Sequence, residues 1–282
     1  MRMNLAYHCF CILLSSLLIF SACNEKSTNI DQTLSIDKPD NSNEIDLEIY
    51  ALMGQSNMAG RGEIDSISNS YQSKDVLMLT AEGNLKIAKH PLHFDKPGAA
   101  VGPGLMFGNE LSMDTKNKIV LVPCAVGGTS INLWQPEMHD DITNSNPYDD
   151  AISRLEKTLE YGGEIKGVIW HQGERDRSTY SKEDYLDELS ALIDRIRKFT
   201  GNQKLPFIAG ELGYFIDGSE PFNEYLQDLP SLVDYTEVVS AEGLTHKGDN
   251  LHFDARSAEL LGKRYADAMK TVQFKTEQED EN

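Results

Sequence analysis

The chain has 282 residues with 40% apolar content, enough for one sizeable α/β domain. Its formal charge of −19 argues against nucleic acid or an anionic lipid surface as partner, because both need clusters of Lys and Arg. The same charge is compatible with an exported enzyme acting on neutral polymers, without selecting one.

Arg2 and the apolar run from Cys9 to Phe20 read as an export signal over residues 1–22, too short for a comfortable membrane span. The small residues before Cys23 give it the pattern of a bacterial lipoprotein signal, with Cys23 as the acylated first residue of the mature chain. The expected location is therefore the cell envelope, anchored to a membrane. An ordinary signal peptide that contains a cysteine is the alternative. After cleavage only Cys23 and Cys124 remain, so Cys124 has no disulfide partner and reads as a small core residue.

Residues 23–46 are polar and turn-rich, as in a flexible linker. Leu47 to Met53 is the first strand, ending at Gly54-Gln55-Ser56-Asn57-Met58. Residues 61–102 are irregular, with one strand at Val76 to Leu79; a loop of this length on an α/β domain is often functional. A helix over Leu105 to Met113 and a strand over Ile119 to Val122 lead to Gly127-Gly128-Thr129-Ser130. Asn146-Pro147 opens a helix with Ile152, Leu155 and Leu159 on one face. Strand Gly167 to Trp170 runs into His171-Gln172-Gly173-Glu174. Ser181 with Asp184 starts a helix whose buried stripe is Leu186, Leu189, Ile193 and Ile196. Strand Phe207 to Gly210, a short helix near Phe222 to Leu229, strand Thr236 to Val239 and a helix capped by Asp254 follow. Residues 273–282 read as an acidic, disordered tail beyond a single domain over 47–272.

Strands alternating with amphipathic helices predict right-handed βαβ units and a parallel sheet covered on both faces. Sites in such sheets form at the carboxyl ends of strands, where Ser56, Gly127-Gly128 and the 171–174 stretch all fall. Ser56 at a strand end suits a nucleophile. Asp249-x-x-His252 suits a base and its orienting acid: the carboxylate reaches Nδ1–H while Nε2 takes the proton of Ser56. For the oxyanion the candidates are the N–H of Ser56, that of Gly127 or Gly128, and the side-chain amide of Gln172. Glu174 is read as a structural carboxylate holding the Ser56 loop or Arg61, with a rival role as orienter of His252. Gln55 and Asn57 are candidates for support or specificity. The pair His90-x-x-His93 fits a metal site poorly, and no phosphate or dinucleotide loop occurs, so neither metal nor cofactor is expected. The second glycine of the usual α/β-hydrolase elbow is missing after Ser56, which points to another serine-hydrolase scaffold.

Four motifs in order, Gly54 to Gly62, Gly127 to Ser130, Trp170 to Glu174 and Asp249-x-x-His252, resemble those of the SGNH-type carbohydrate esterases. The nearest groups are carbohydrate esterase family six and sialate O-acetylesterase domains, over about Leu47 to Thr271. The resemblance implies a three-layer α/β/α sandwich with a central parallel sheet, flavodoxin-like, and hydrolysis of sugar O-acetyl esters without a cofactor. It implies Ser56 as nucleophile, His252 as base, Asp249 as its partner, and Gly127 or Gly128 with Gln172 at the oxyanion hole. Arg175 and Asp176 depart from the family pattern, which puts substrate preference rather than chemistry in question. The expected substrate is acetylated xylan or its oligosaccharides, with acetylated sialic acid next. A non-catalytic glycan-binding lipoprotein on the same fold is the reading from another class.

Overall fold

The computed structural model describes residues 46–280. The expected signal at 1–22, the acylated Cys23 and almost all of the 23–46 linker lie outside them.

In chain order the elements are β1 (Leu47–Gly54), α1 (Ser56–Ala59), β2 (Val76–Leu79), β3 (Leu85–Ile87), α2 (Gly104–Ser112), β4 (Lys118–Pro123) and α3 (Pro147–Leu159). There follow β5 (Glu164–His171), α4 (Lys182–Thr200), β6 (Phe207–Gly210), α5 (Ser219–Leu226), α6 (Leu229–Leu232), β7 (Thr236–Val239) and α7 (Ala255–Asp280). The seven strands form one sheet in the order β3-β2-β4-β1-β5-β6-β7, parallel except for the β2–β3 pair.

β1 sits at the centre, paired with β4 and β5, which is why Ile49 to Met53, beyond the half-buried Glu48, carry no charge and are all buried. Successive side chains of a strand face opposite ways. Ile49, Ala51 and Met53 accordingly join a core with α3, α4 and α5, while Tyr50 and Leu52 join a second core with α2 and α7. Burial on both faces makes this the three-layer α/β/α arrangement.

Three expectations need correction. The irregular 61–102 segment holds a second strand, β3, antiparallel to β2 at the sheet edge; three residues are too few to show an alternation. The buried face of α3 is Tyr148, Ala151, Leu155 and Thr158, and Leu159 is exposed. The apolar residues alone misdirect that reading, because alanine and threonine complete the stripe. Residues 273–280 are no tail but the last turns of α7. They carry good helix formers without Gly or Pro, and they are tied down: Gln273 Nε2 donates to Tyr50 Oη over 3.0 Å, and Tyr235 Oη donates to Glu279 over 2.6 Å.

Candidate active site

β1 ends at Gly54 with φ of 122°, and a Cβ there would run into the backbone of His171 on β5. Only glycine lets the two strand ends approach so closely. The backbone N–H of Gln55 then bonds the carbonyl of His171 at 2.8 Å, and the chain turns into α1 with Ser56 as its first residue. The serine is thus carried at the carboxyl edge of the central strand.

Asp249 to His252 lies in the loop between β7 and α7. One oxygen of Asp249, Oδ1, closes the turn by accepting the N–H groups of Leu251 at 3.0 Å and His252 at 2.8 Å. Asn250 takes the left-handed conformation that this turn needs, with φ of 54°. The other oxygen, Oδ2, lies 2.7 Å from His252 Nδ1, and His252 Nε2 lies 3.0 Å from Ser56 Oγ. Partial burial opposes ionisation of Asp249, but the backbone N–H and imidazole of His252 outweigh it and hold the carboxyl well below its ordinary range. The three residues read from sequence come together as a hydrogen-bonded chain.

The candidate oxyanion donors separate. The N–H of Gly127 is engaged by Asp95 Oδ2 at 2.9 Å, and the same oxygen accepts Arg61 at 2.7 Å. A Cβ on Gly127 would stand 2.5 Å from that guanidinium and 3.5 Å from Cβ of Ser56, so the glycine backbone lies directly against Ser56. The N–H groups of Ser56 and Gly128 have no acceptor among the described residues. Gln172 is corrected: it is fully buried away from the cleft, with Nε2 donating to Asp176 Oδ2 at 2.6 Å and to the Thr129 carbonyl at 3.1 Å. Its Oε1 accepts Tyr185 Oη at 2.9 Å. A side chain at the end of a buried strand alternates inward or outward, and here the pleat turns it into the core.

Glu174 bonds the Ser56 turn through Asn57 and does not bond Arg61, whose partner is Asp95. Nor does it take the place of Asp249 at His252 Nδ1. Burial pushes Glu174 up to about 7. Beside it His171 is fully buried, and desolvation drops it to about 3, so the imidazole is neutral; its Nε2 is 3.7 Å from Glu174. Gln55 accepts the N–H of Gly173 at 3.5 Å and lines the cleft.

The cleft over Ser56, about 540 Å³, is ringed by Arg61, Lys96, Arg175 and Arg177. Lys96 donates to the Gly127 carbonyl at 2.7 Å, Arg175 to that of Gly128 at 2.6 Å, and Arg177 to that of Asp217 at 2.6 Å. Asp95, Lys96 and Arg177 had no motif to mark them. The length of the irregular segment was the available signal for the first two.

A mostly parallel seven-stranded sandwich with this cluster at its carboxyl edge defines the class, an SGNH-type carbohydrate esterase fold. The family model described as carbohydrate esterase, sialic acid-specific acetylesterase, matches residues 46–271, and the chain belongs to that family. A protein of Arabidopsis thaliana named "Probable carbohydrate esterase" is 33% identical over 244 residues, covering 78% of this chain and 89% of the relative. The X-ray structure of an Arabidopsis protein superposes with a TM-score of 0.72 at 31% identity, covering 80% of this chain and 98% of that one. NanS (TM-score 0.62, 16% identity, covering 83% and 98%) shares the fold. So does a carbohydrate acetylesterase of Xanthomonas citri (TM-score 0.62, 20% identity, covering 80% and 57%).

Proposed function

We propose that this chain removes O-acetyl groups from carbohydrate, with Ser56 as nucleophile, His252 as general base and Asp249 as its orienting acid. The observation that carries the reading is the continuous path from Asp249 Oδ2 to His252 at 2.7 Å and on to Ser56 Oγ at 3.0 Å. Ser56 Oγ attacks the acetyl carbonyl carbon while His252 Nε2 takes its proton, and Asp249 stabilises the imidazolium. The N–H groups of Ser56 and Gly128, without an acceptor among the described residues, are the proposed donors to the oxyanion. As the tetrahedral intermediate collapses, the bond to the sugar oxygen breaks and His252 returns the proton to that oxygen. Water, activated by the same imidazole, then releases acetate from Ser56.

For the sugar, acetylated xylan and its oligosaccharides remain the first reading. A specific observation favours a second: Lys96, Arg175 and Arg177 line the cleft beside Arg61, whose charge Asp95 balances, in a chain whose net charge is −19. A locally positive cleft raises the concentration of anionic substrates, which supports an acetylated acidic sugar of the sialate kind. Export and a lipid anchor on Cys23 belong to the same proposal. A Cys23→Ser variant should leave the membrane fraction or stay unprocessed, and equal partitioning with identical processed mass for both proteins refutes the anchor.

The deciding experiment measures acetate release from acetylated xylan, acetylated sialic acid and a small aryl acetate, with Ser56→Ala beside the native protein. Release that disappears with Ser56→Ala supports the reading. Binding of glycan without release by the native protein would favour the non-catalytic alternative.

A further inference from the structure

The residue after the nucleophile is almost wholly buried, and every hydrogen bond of its side chain leaves its own turn. Oδ1 of Asn57 accepts the backbone N–H of Phe253 at 3.1 Å. Its Nδ2 donates to the carbonyl of Leu251 at 3.1 Å and to Glu174 Oε1 at 2.5 Å. Leu251 and Phe253 are the two chain neighbours of His252. A single amide, attached next to Ser56, therefore grips the backbone on both sides of the base.

The surroundings explain why this grip matters. Asp249, Asn250 and Leu251 are exposed, and bonds such as Lys247 N to the His252 carbonyl at 3.0 Å tie the loop to itself. They do not tie it to Ser56. Glu174 in turn fixes which way the amide faces. A flipped Asn57 would set its oxygen against the Leu251 carbonyl and the carboxyl of Glu174, and its NH₂ against the Phe253 N–H. Oε1 of Glu174 can accept from Asn57 whether or not the carboxyl carries a proton.

We propose that Asn57 is a positioning residue that sets the separation of Ser56 and His252, and that Glu174 orients its amide for that purpose. The inference rests on the Ser56–His252 reading above. Misplacement of a base by about 1 Å is worth roughly a hundredfold in rate, so the effect belongs in turnover and not in substrate affinity.

The test compares Asn57→Ala, Glu174→Ala and Glu174→Gln on a small aryl acetate. Rates are expressed per active site titrated with a serine-directed phosphonate, with thermal unfolding alongside. Asn57→Ala should lower kcat about 100-fold with KM within about twofold. Glu174→Ala should lower kcat about tenfold, and Glu174→Gln, whose amide oxygen supplies the same acceptor, should stay within about threefold of the native value. Because both act through one amide, Asn57→Ala with Glu174→Ala should be no slower than Asn57→Ala alone.

A folded Asn57→Ala protein with native kcat per titrated site overturns the proposal. So does a Glu174→Gln protein as slow as Glu174→Ala, or losses that add in the double variant. If Asn57→Ala does not fold, the Glu174 pair decides. Full activity of Ser56→Ala would instead sink the triad reading, so the two failures are distinct.

Discussion

Gln172 and Asp176, one turn apart after β5, share a 2.6 Å hydrogen bond in the core, and the second oxygen of Asp176 has no partner among the described residues. That pairing makes Gln172→Ala a stability variant. Loss of a buried donor to a carboxylate should lower unfolding free energy by about 1–3 kcal/mol, while kcat of the folded protein stays within a few-fold of native. Thermal unfolding and aryl acetate kinetics check this. A loss of kcat by orders of magnitude at unchanged stability would return Gln172 to the oxyanion hole.

The proposed triad has an internal ranking. On the proposed mechanism Ser56→Ala removes the atom that forms the acyl-enzyme and His252→Ala the group that activates it, so each should reduce turnover by several orders of magnitude. Asp249→Asn should reduce it by roughly 10⁴, because an amide favours the wrong imidazole tautomer and cannot offset the imidazolium charge. Circular dichroism establishes folding. A mild Asp249→Asn beside a severe Glu174→Gln would mean that the acid has been misassigned.

Arg175 lines the cleft and donates one N–H of its planar, multi-donor fork to the Gly128 carbonyl. Arg175→Ser should therefore shift the ratio of rates between acetylated acidic and neutral sugars more than the rate on a small aryl acetate. An equal loss on all three substrates would show that Arg175 serves the turn at Gly128 and not the substrate.

Stability should depend on pH with two opposed signs. Burial lowers His90 and His93 to about 4 and His171 to about 3, from an ordinary 6.5. The unfolded chain therefore binds protons that the fold excludes, and stability is lost as pH falls from about 6.5 toward 3. Glu174 acts in the other direction. Burial raises it from 4.5 to about 7, so its contribution is complete below 4.5 and is lost as pH rises to about 7. Urea unfolding from pH 4 to 8 should show Glu174→Gln losing the decline between 4.5 and 7. Parallel curves for the two proteins would contradict the assignment.

The core strands, most helix starts and the candidacy of Ser56, Asp249 and His252 were legible in the sequence because they follow from local chemistry. An unbroken apolar run marks a strand buried on both faces, Ser181 caps α4 by accepting the N–H of Asp184, and Asp249 and His252 are three residues apart. Which way a side chain faces at a strand end, and which of two adjacent glycines keeps its N–H free, was decided by tertiary structure. Gln172 turned inward because Asp176 and Tyr185 wait in the core, and Gly127 is engaged because Asp95, from a segment without periodicity, reaches it. The last turns of α7 read as a solvated tail until Tyr50 and Tyr235, both more than forty residues away, supply partners for Gln273 and Glu279. Asn57 is the plainest case. Nothing near it in sequence shows that its amide holds Leu251, Phe253 and Glu174, because those bonds span 117 to 196 residues and exist only once the sheet has brought the strand ends together.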